Sequence, residues 1–276
     1  MPNLLIELLS EEIPARMQRK ASSDLEQLFT EGISELGLTY ESSANFSTPR
    51  RLTLVLENVS SKCLSRVEEK RGPRKDAPEK AIQGFLKNTG LELSQLEIRQ
   101  EKKGEFYFAS IRTEGRKAAD IISAVLDKTV RNFPWPKSMR WGENSLKWVR
   151  PLHSIICILY DEDGYKVVDF DIEGVSSGDK TFGHRFMGNE NFSVNSFEDY
   201  ASKLKKEFVI LDPSQREEII LQEIENQAFA QGLELINDHS LLNEVVGLIE
   251  WPVVLMGKLE DQFLSLPREV LQTSMR

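Results

Sequence analysis

Cysteine is nearly absent from this sequence: Cys63 and Cys157 are the only two in 276 residues. They lie far apart and form no CxxC pair, which speaks against a disulfide framework or a zinc ribbon and points to a reducing compartment. Histidine is almost as scarce. His153, His184 and His239 show no HxH, HxxxH or HExxH spacing, so no metal centre is expected. No GxxxxGK[ST], GxGxxG or GxSxG motif occurs, and phosphate cradling by a glycine-rich loop is left without support. The start, Met1-Pro2-Asn3-Leu4, has no basic n-region, and no long apolar run follows. A signal peptide and a transmembrane span are not expected, and a cytoplasmic location is. No nucleophile–base pair is visible. By its residues alone the chain reads as a binding or assembly module.

What is present is ordinary in bulk and unusual in one place. Hydrophobic residues make up 40% and charged residues 29%, as in a soluble globular protein. The length allows one large domain or two smaller ones. The net charge of -9 and the pI near 5.1 argue against a protein that coats nucleic acid nonspecifically, so any RNA contact must come from a local patch. Residues 131–153 carry Arg131, Lys137, Arg140, Lys147 and Arg150 against Glu143 alone, together with three of the four tryptophans. Cations interleaved with flat rings suit phosphates and unstacked bases. The competing reading makes the tryptophans core anchors and the cations a solvated rim.

Along the chain, Leu4–Leu9 reads as a buried strand. A helix follows with Pro14 in its first turn, Leu25, Leu28, Phe29, Ile33 and Leu36 on one face, and Gly37 as its stop. Glu11 and Glu12 read as dipole partners of that helix, or as an acid/base pair. Residues 52–59 form a strand with Arg50 and Arg51 at its mouth. The polar stretch 62–80 reads as a linker or exposed loop. A helix at 79–89, strands near 96–100 and 106–111 joined by a Lys103-Gly104 turn, and a helix carrying Ile122, Val125, Leu126 and Val130 make an inserted helix–hairpin–helix block over 64–133. Residues 1–63 and 134–276 then form the main domain. Strands are expected at 154–160, at 167–172 paired across Asp163-Gly164, and at 253–256. A helix opens at Asp212-Pro213, and another carries Leu241, Leu242, Val245, Val246 and Ile249 behind a cap near Asp238. Strands and helices mingle without a regular βαβ period, which predicts an α/β fold of the α+β kind, a mixed sheet with packed helices.

Several segments together are specific. They are Leu5-Ile6-Glu7-Leu8-Leu9-Ser10-Glu11-Glu12-Ile13-Pro14-Ala15-Arg16, Thr48-Pro49-Arg50-Arg51-Leu52, Gly72-Pro73, Gly84-Phe85, Pro136-Lys137-Ser138-Met139-Arg140-Trp141, Val149-Arg150-Pro151, Gly183-His184-Arg185-Phe186, Glu244 to Pro252 and Phe263 to Leu271. In this order they resemble the front of the β subunit of bacterial heterotetrameric glycyl-tRNA synthetase. Family members are much longer, and this chain stops near Thr273-Ser274-Met275. The resemblance implies a part in the ATP-dependent joining of glycine to tRNA(Gly). It implies a catalytic α subunit as partner, ATP with Mg used by the whole enzyme, and no cofactor held by this chain. A membrane or DNA partner is not expected. It also implies likeness to the editing-type α/β domain of the phenylalanyl-tRNA synthetase β subunit with its small inserted module. No catalytic residue is assigned. The candidate RNA-binding residues are Arg50, Arg51, Lys137, Arg140, Trp141, Lys147, Arg150, His184 and Arg185, with a structural role open for His184. Three hypotheses remain: a tRNA-binding, α-partnering segment; a scaffold for α and the distal β domains; and an editing-type hydrolase using a pocket of Glu11, Glu12 and His184.

Overall fold

The first strand has no solvent-facing side, because both of its faces are covered. Leu4, Ile6 and Leu8 join one core cluster, and Leu5 joins a second one on the opposite face. Alternation along a strand sends odd and even residues to different faces, so a continuous apolar run marks a central strand. The computed structural model describes residues 1–63, 66–101, 104–113, 115–143, 145–189 and 191–274. In chain order the strands are β1 (Asn3–Ser10), β2 (Ser42–Ser47), β3 (Arg51–Glu57), β4 (Arg66–Arg74), β5 (Glu97–Glu101), β6 (Gly104–Thr113), β7 (Leu152–Asp161), β8 (Gly164–Val167), β9 (Asp171–Ile172), β10 (Val175–Gly178), β11 (Lys180–Thr181) and β12 (Phe192–Ser193). The helices are α1 (Ala15–Glu35), α2 (Glu79–Thr89), α3 (Ala118–Arg131), α4 (Phe197–Lys206), α5 (Pro213–Ala230), α6 (His239–Val246) and α7 (Arg268–Ser274).

The main sheet runs β2-β3-β1-β7-β10-β9, with β8 also on β7. Its pairs are antiparallel except β10 with β7, so the sheet is mixed. α1 and α3 cover one face: Leu25, Phe29 and Ile33 meet Ile121, Ile122, Val125 and Leu126 over the even residues of β1. The two helices approach closely at Gly32, where a Cβ would stand 2.7 Å from Val125 Cγ1. Tyr200 and Leu204 of α4, with Val209 and Leu211, cover the other face. Among the described residues no helix is long and apolar enough to cross a membrane.

The expected block at 64–133 divides. β4, β6 and β5 form a separate three-stranded sheet in that order, and Phe85 of α2 lies over Gly72 of β4. No described residue of 66–113 belongs to the main core clusters. α3 belongs to the main core, because its apolar face needs more cover than a small sheet supplies. The two chain ends of the insert are pinned together, with Cys63 N donating to Arg116 O at 3.1 Å and Ala118 N to Ser61 O at 2.9 Å.

Other expectations also change. The polar stretch read as a linker contains β4, whose charges suit an edge strand. Residues 253–256 are irregular despite their apolar run. The strand expected over 167–172 is cut short: β8 ends at Val167, and Asp171–Ile172 pairs with β10. β2 and α4 were not anticipated. Lys103 of the expected hairpin turn, and Met275, lie outside the described residues.

Candidate nucleic-acid interface

The second face of the main sheet carries, beside its apolar cluster, a buried polar network. Arg51 is 0% exposed. Its Nε lies 3.2 Å from Glu7 Oε2, its Nη1 pairs with Glu250, and its Nη2 donates to the carbonyls of Phe182 and Gly183. Glu7 accepts from Thr181 Oγ1 and from Tyr200 OH, each at 2.5 Å. Thr48 Oγ1 donates to Glu250 at 2.7 Å. Arg216, also buried, donates to the carbonyls of Ser47, Ile210, Leu211 and Val246. When all are ionised, two carboxylates and two guanidiniums balance. Burial raises the Glu7 carboxyl, with Arg51 opposing. Burial pulls Arg51 down, but Glu250 and then Glu7 outweigh it and hold it above its ordinary value. Burial brings Arg216 down to about 10. Arg51 is therefore not an RNA contact. Its guanidinium is consumed in joining β1, the 182–183 carbonyls and the turn at Glu250.

Above this network the surface gathers residues distant in sequence. Backbone bonds from Ser10 N to Arg50 O (2.8 Å) and from Glu11 N to Pro151 O (2.9 Å) set three segments side by side. Glu11 bonds His153 Nε2 at 2.8 Å and Arg185 Nη1 at 3.0 Å. The hydrogen bond with His153, and then Arg185, hold its carboxyl below the usual range. Glu11 is thus not a dipole partner: α1 starts at Ala15 and has no acidic residue in its first turn. The acid/base reading also loses its geometry, since Glu11 is engaged by Arg185 and His153 and Glu12 is exposed.

His184 holds a turn. Its Nδ1 accepts from the amides of Phe186 and Met187, both at 3.2 Å, and its own amide donates to Glu207 O at 2.8 Å. Gly183 makes this possible by closeness: a Cβ there would lie 2.8 Å from Glu207 O. The turn leaves Arg185 exposed and Phe186 83% exposed. The buried thiol of Cys157, pushed up to about 12 by burial, offers no nucleophile.

The tryptophan-rich stretch splits between core and surface. Met139 N donates to Trp148 O at 2.8 Å and Trp148 N to Met139 O at 3.3 Å, pinching off the segment between them. Trp148 is 0% exposed, and its ring centroid lies 4.9 Å from Phe133 and 5.0 Å from Trp135. Trp141 is only partly buried against the core. Leu146 N donates to Glu173 at 2.9 Å, and Arg131 pairs with Glu173 at 3.5 Å, tying the segment to the end of α3. Lys137, Arg140, Lys147 and Arg150 are all exposed. Among the described residues none of these four makes an ion pair. Two cationic groups therefore stand: Lys137, Arg140 and Lys147 on the stretch that also carries Trp141, and Arg50 with Arg185, whose charges act on each other, while Arg150 lies in the chain between them.

Sequence reading did not anticipate the pairing of Glu11 with His153, nor the network of Glu7, Thr181, Tyr200 and Glu250. Glu7 alone had a signal, a carboxylate inside an apolar strand.

A family profile described as glycyl-tRNA synthetase beta subunit matches residues 4–276. The glycine--tRNA ligase beta subunit of Paracoccus denitrificans (strain Pd 1222) is 57% identical over 276 residues, which is 100% of this chain and 40% of that relative. That of Ruegeria sp. (strain TM1040) is 58% identical over the same 100% of this chain and 40% of its own length. That of Dinoroseobacter shibae (strain DSM 16493 / NCIMB 14021 / DFL 12) is 54% identical, covering 100% of this chain and 38% of the relative. The chain spans about 40% of the length of these curated relatives.

Proposed function

Because the chain belongs to the glycyl-tRNA synthetase beta subunit family, we propose that it is the N-terminal part of the β subunit of a cytoplasmic, heterotetrameric glycine–tRNA ligase. Its work is to bind tRNA(Gly) and to assemble with the α subunit, which carries out the ATP- and Mg-dependent chemistry. This reading includes no cofactor held here. It extends to an editing-type fold like that of the phenylalanyl-tRNA synthetase β subunit, supported by the resemblance of the segments.

The observation that carries the RNA contact is the 139–148 segment. Its exposed cations, Arg140 and Lys147, have no acidic partner among the described residues, and the same segment carries a half-buried tryptophan, Trp141, in a chain of net charge -9. An acidic body repels RNA, so contact needs a local cluster that offsets the repulsion. A scaffold reading has its own support. Phe229 (87%), Val253 (67%) and Leu255 (86%) are exposed in the last third of the chain, as suits protein contacts.

Mixing the chain with purified α subunit and with tRNA(Gly), separately, tests the proposal. Binding to both, with tRNA affinity falling as salt rises, is expected. Binding to α but not to tRNA establishes the scaffold reading instead. The chain alone should form no glycyl-adenylate, and measurable formation would overturn the assignment of chemistry to α.

A further inference from the structure

Arg50 is an arginine without an acceptor. It is half-buried, and its Nε is enclosed and meets no hydrogen-bond partner. Its backbone is fixed, with the carbonyl accepting from Ser10 N at 2.8 Å and the amide donating to Thr48 Oγ1 at 3.2 Å. The carboxylates around it are engaged elsewhere, Glu250 by Arg51 and Thr48, and Glu11 by His153 and Arg185. Burial first, and then Arg51, lower the Arg50 guanidinium; Glu250 and Glu11 oppose this in part, and Arg185 adds to the repulsion. A partly desolvated cation with no acceptor is costly unless an anion arrives from outside.

Next to Arg185, whose charge acts on Arg50, stands a ring with little to pack on. Phe186 is 83% exposed at the tip of the turn held by His184, with the Arg185 guanidinium carbon 5.8 Å from its centroid. The two amide bonds to His184 Nδ1 fix this turn before any ligand binds. A ring presented in this way loses little entropy on stacking.

We propose that this surface binds an unpaired nucleotide of an RNA, with a backbone phosphate on Arg50 and Arg185 and the neighbouring base stacked on Phe186. The inference rests on the RNA-contact reading above and names what one part of the surface takes. A phosphate supplies the oxygens that a guanidinium fork lacks here. A base offers its face to a ring only when it is outside a duplex stack. An acidic peptide would use the two arginines and leave the ring bare. Glu11 and Glu12 oppose a phosphate, but Glu11 is already paired with Arg185 and hydrogen-bonded to His153, and Glu12 is exposed to solvent.

The test uses the assembled α–β enzyme, with tRNA(Gly) and a blunt, fully paired RNA duplex as probes, titrated at several salt concentrations. Phe186→Ala should weaken tRNA binding by roughly five- to a hundred-fold with no change in salt slope, and Phe186→Trp should restore it. Duplex binding should be unchanged by either. Arg50→Ala should lower the slope for tRNA by about 0.7, and Arg50→Lys should lower it less. Phe186 is exposed, so its variants should melt as the parent does. Unchanged tRNA affinity in Phe186→Ala overturns the inference, and so does an equal loss on the duplex. Weakened association with α in its place would make this a protein contact. The Lys137→Ala, Arg140→Ala pair serves as the control. If that pair lowers the slope while Phe186→Ala does nothing, only the nucleotide inference fails. If neither changes tRNA binding, the RNA reading fails with it.

Discussion

Arg50 and Arg51 are adjacent and chemically identical, yet one sits half-exposed in the turn and the other begins β3 with its side chain under α4. Arg51 shares its strand face with Thr53 and Val55, across from Glu7 and Leu5, by the two-residue period of the pleat. Sequence alone set both at the mouth of a strand. The face that Arg51 takes depends on where the strand begins and on Glu250, 199 residues away. Removing one partner of a buried charge pair strands the other. Glu250→Ala should therefore destabilise the chain by about 3–5 kcal/mol, read by denaturant melting. A loss under about 1 kcal/mol, the range of exposed pairs, would mean that the pair is not buried as described.

Among the elements, the long and strongly periodic ones were readable. β1, α1, α5 and α6 stand where their apolar spacing put them, and Gly37 and Gly232 take positive φ at the ends of α1 and α5. β2, with the sequence Ser42-Ser43-Ala44-Asn45-Phe46-Ser47, carries almost no apolar signal, because an edge strand needs only its ladder to β3. α4 buries only Tyr200 and Leu204, but it had a readable start: Ser196 Oγ accepts from Asp199 N, an N-cap three residues ahead of an acid. Residues 253–256 show the converse, since an apolar run without a neighbouring edge stays irregular. The 139–148 segment divides along the same line. Trp148→Ala should cost about 3–5 kcal/mol by opening the Phe133–Trp135–Trp148 cluster. Trp141→Ala should cost distinctly less in the same melting experiment, and equal losses would place Trp141 in the core as well.

Across the whole molecule, five of the segments that carried the family resemblance converge. Glu7 and Glu11, Thr48 to Arg51, Pro151, Gly183 to Phe186, and Glu250 meet through the network and the surface above it. The resemblance supplied these motifs as separate stretches. Their meeting was not readable, because most of the contacts that make it join residues more than a hundred positions apart. The cationic surface is set against a body of net charge -9, with a local balance of +4 over residues 131–153, five cations minus Glu143. Whether that surface meets RNA is the centre of the account. The salt dependence of tRNA(Gly) binding by the assembled enzyme measures it directly, because each phosphate contact adds roughly 0.7 to 0.9 to the slope of log affinity against log salt. Lys137→Ala with Arg140→Ala should lower that slope by about 1 to 2. An unchanged slope, with the enzyme assembled and folded, would contradict the account.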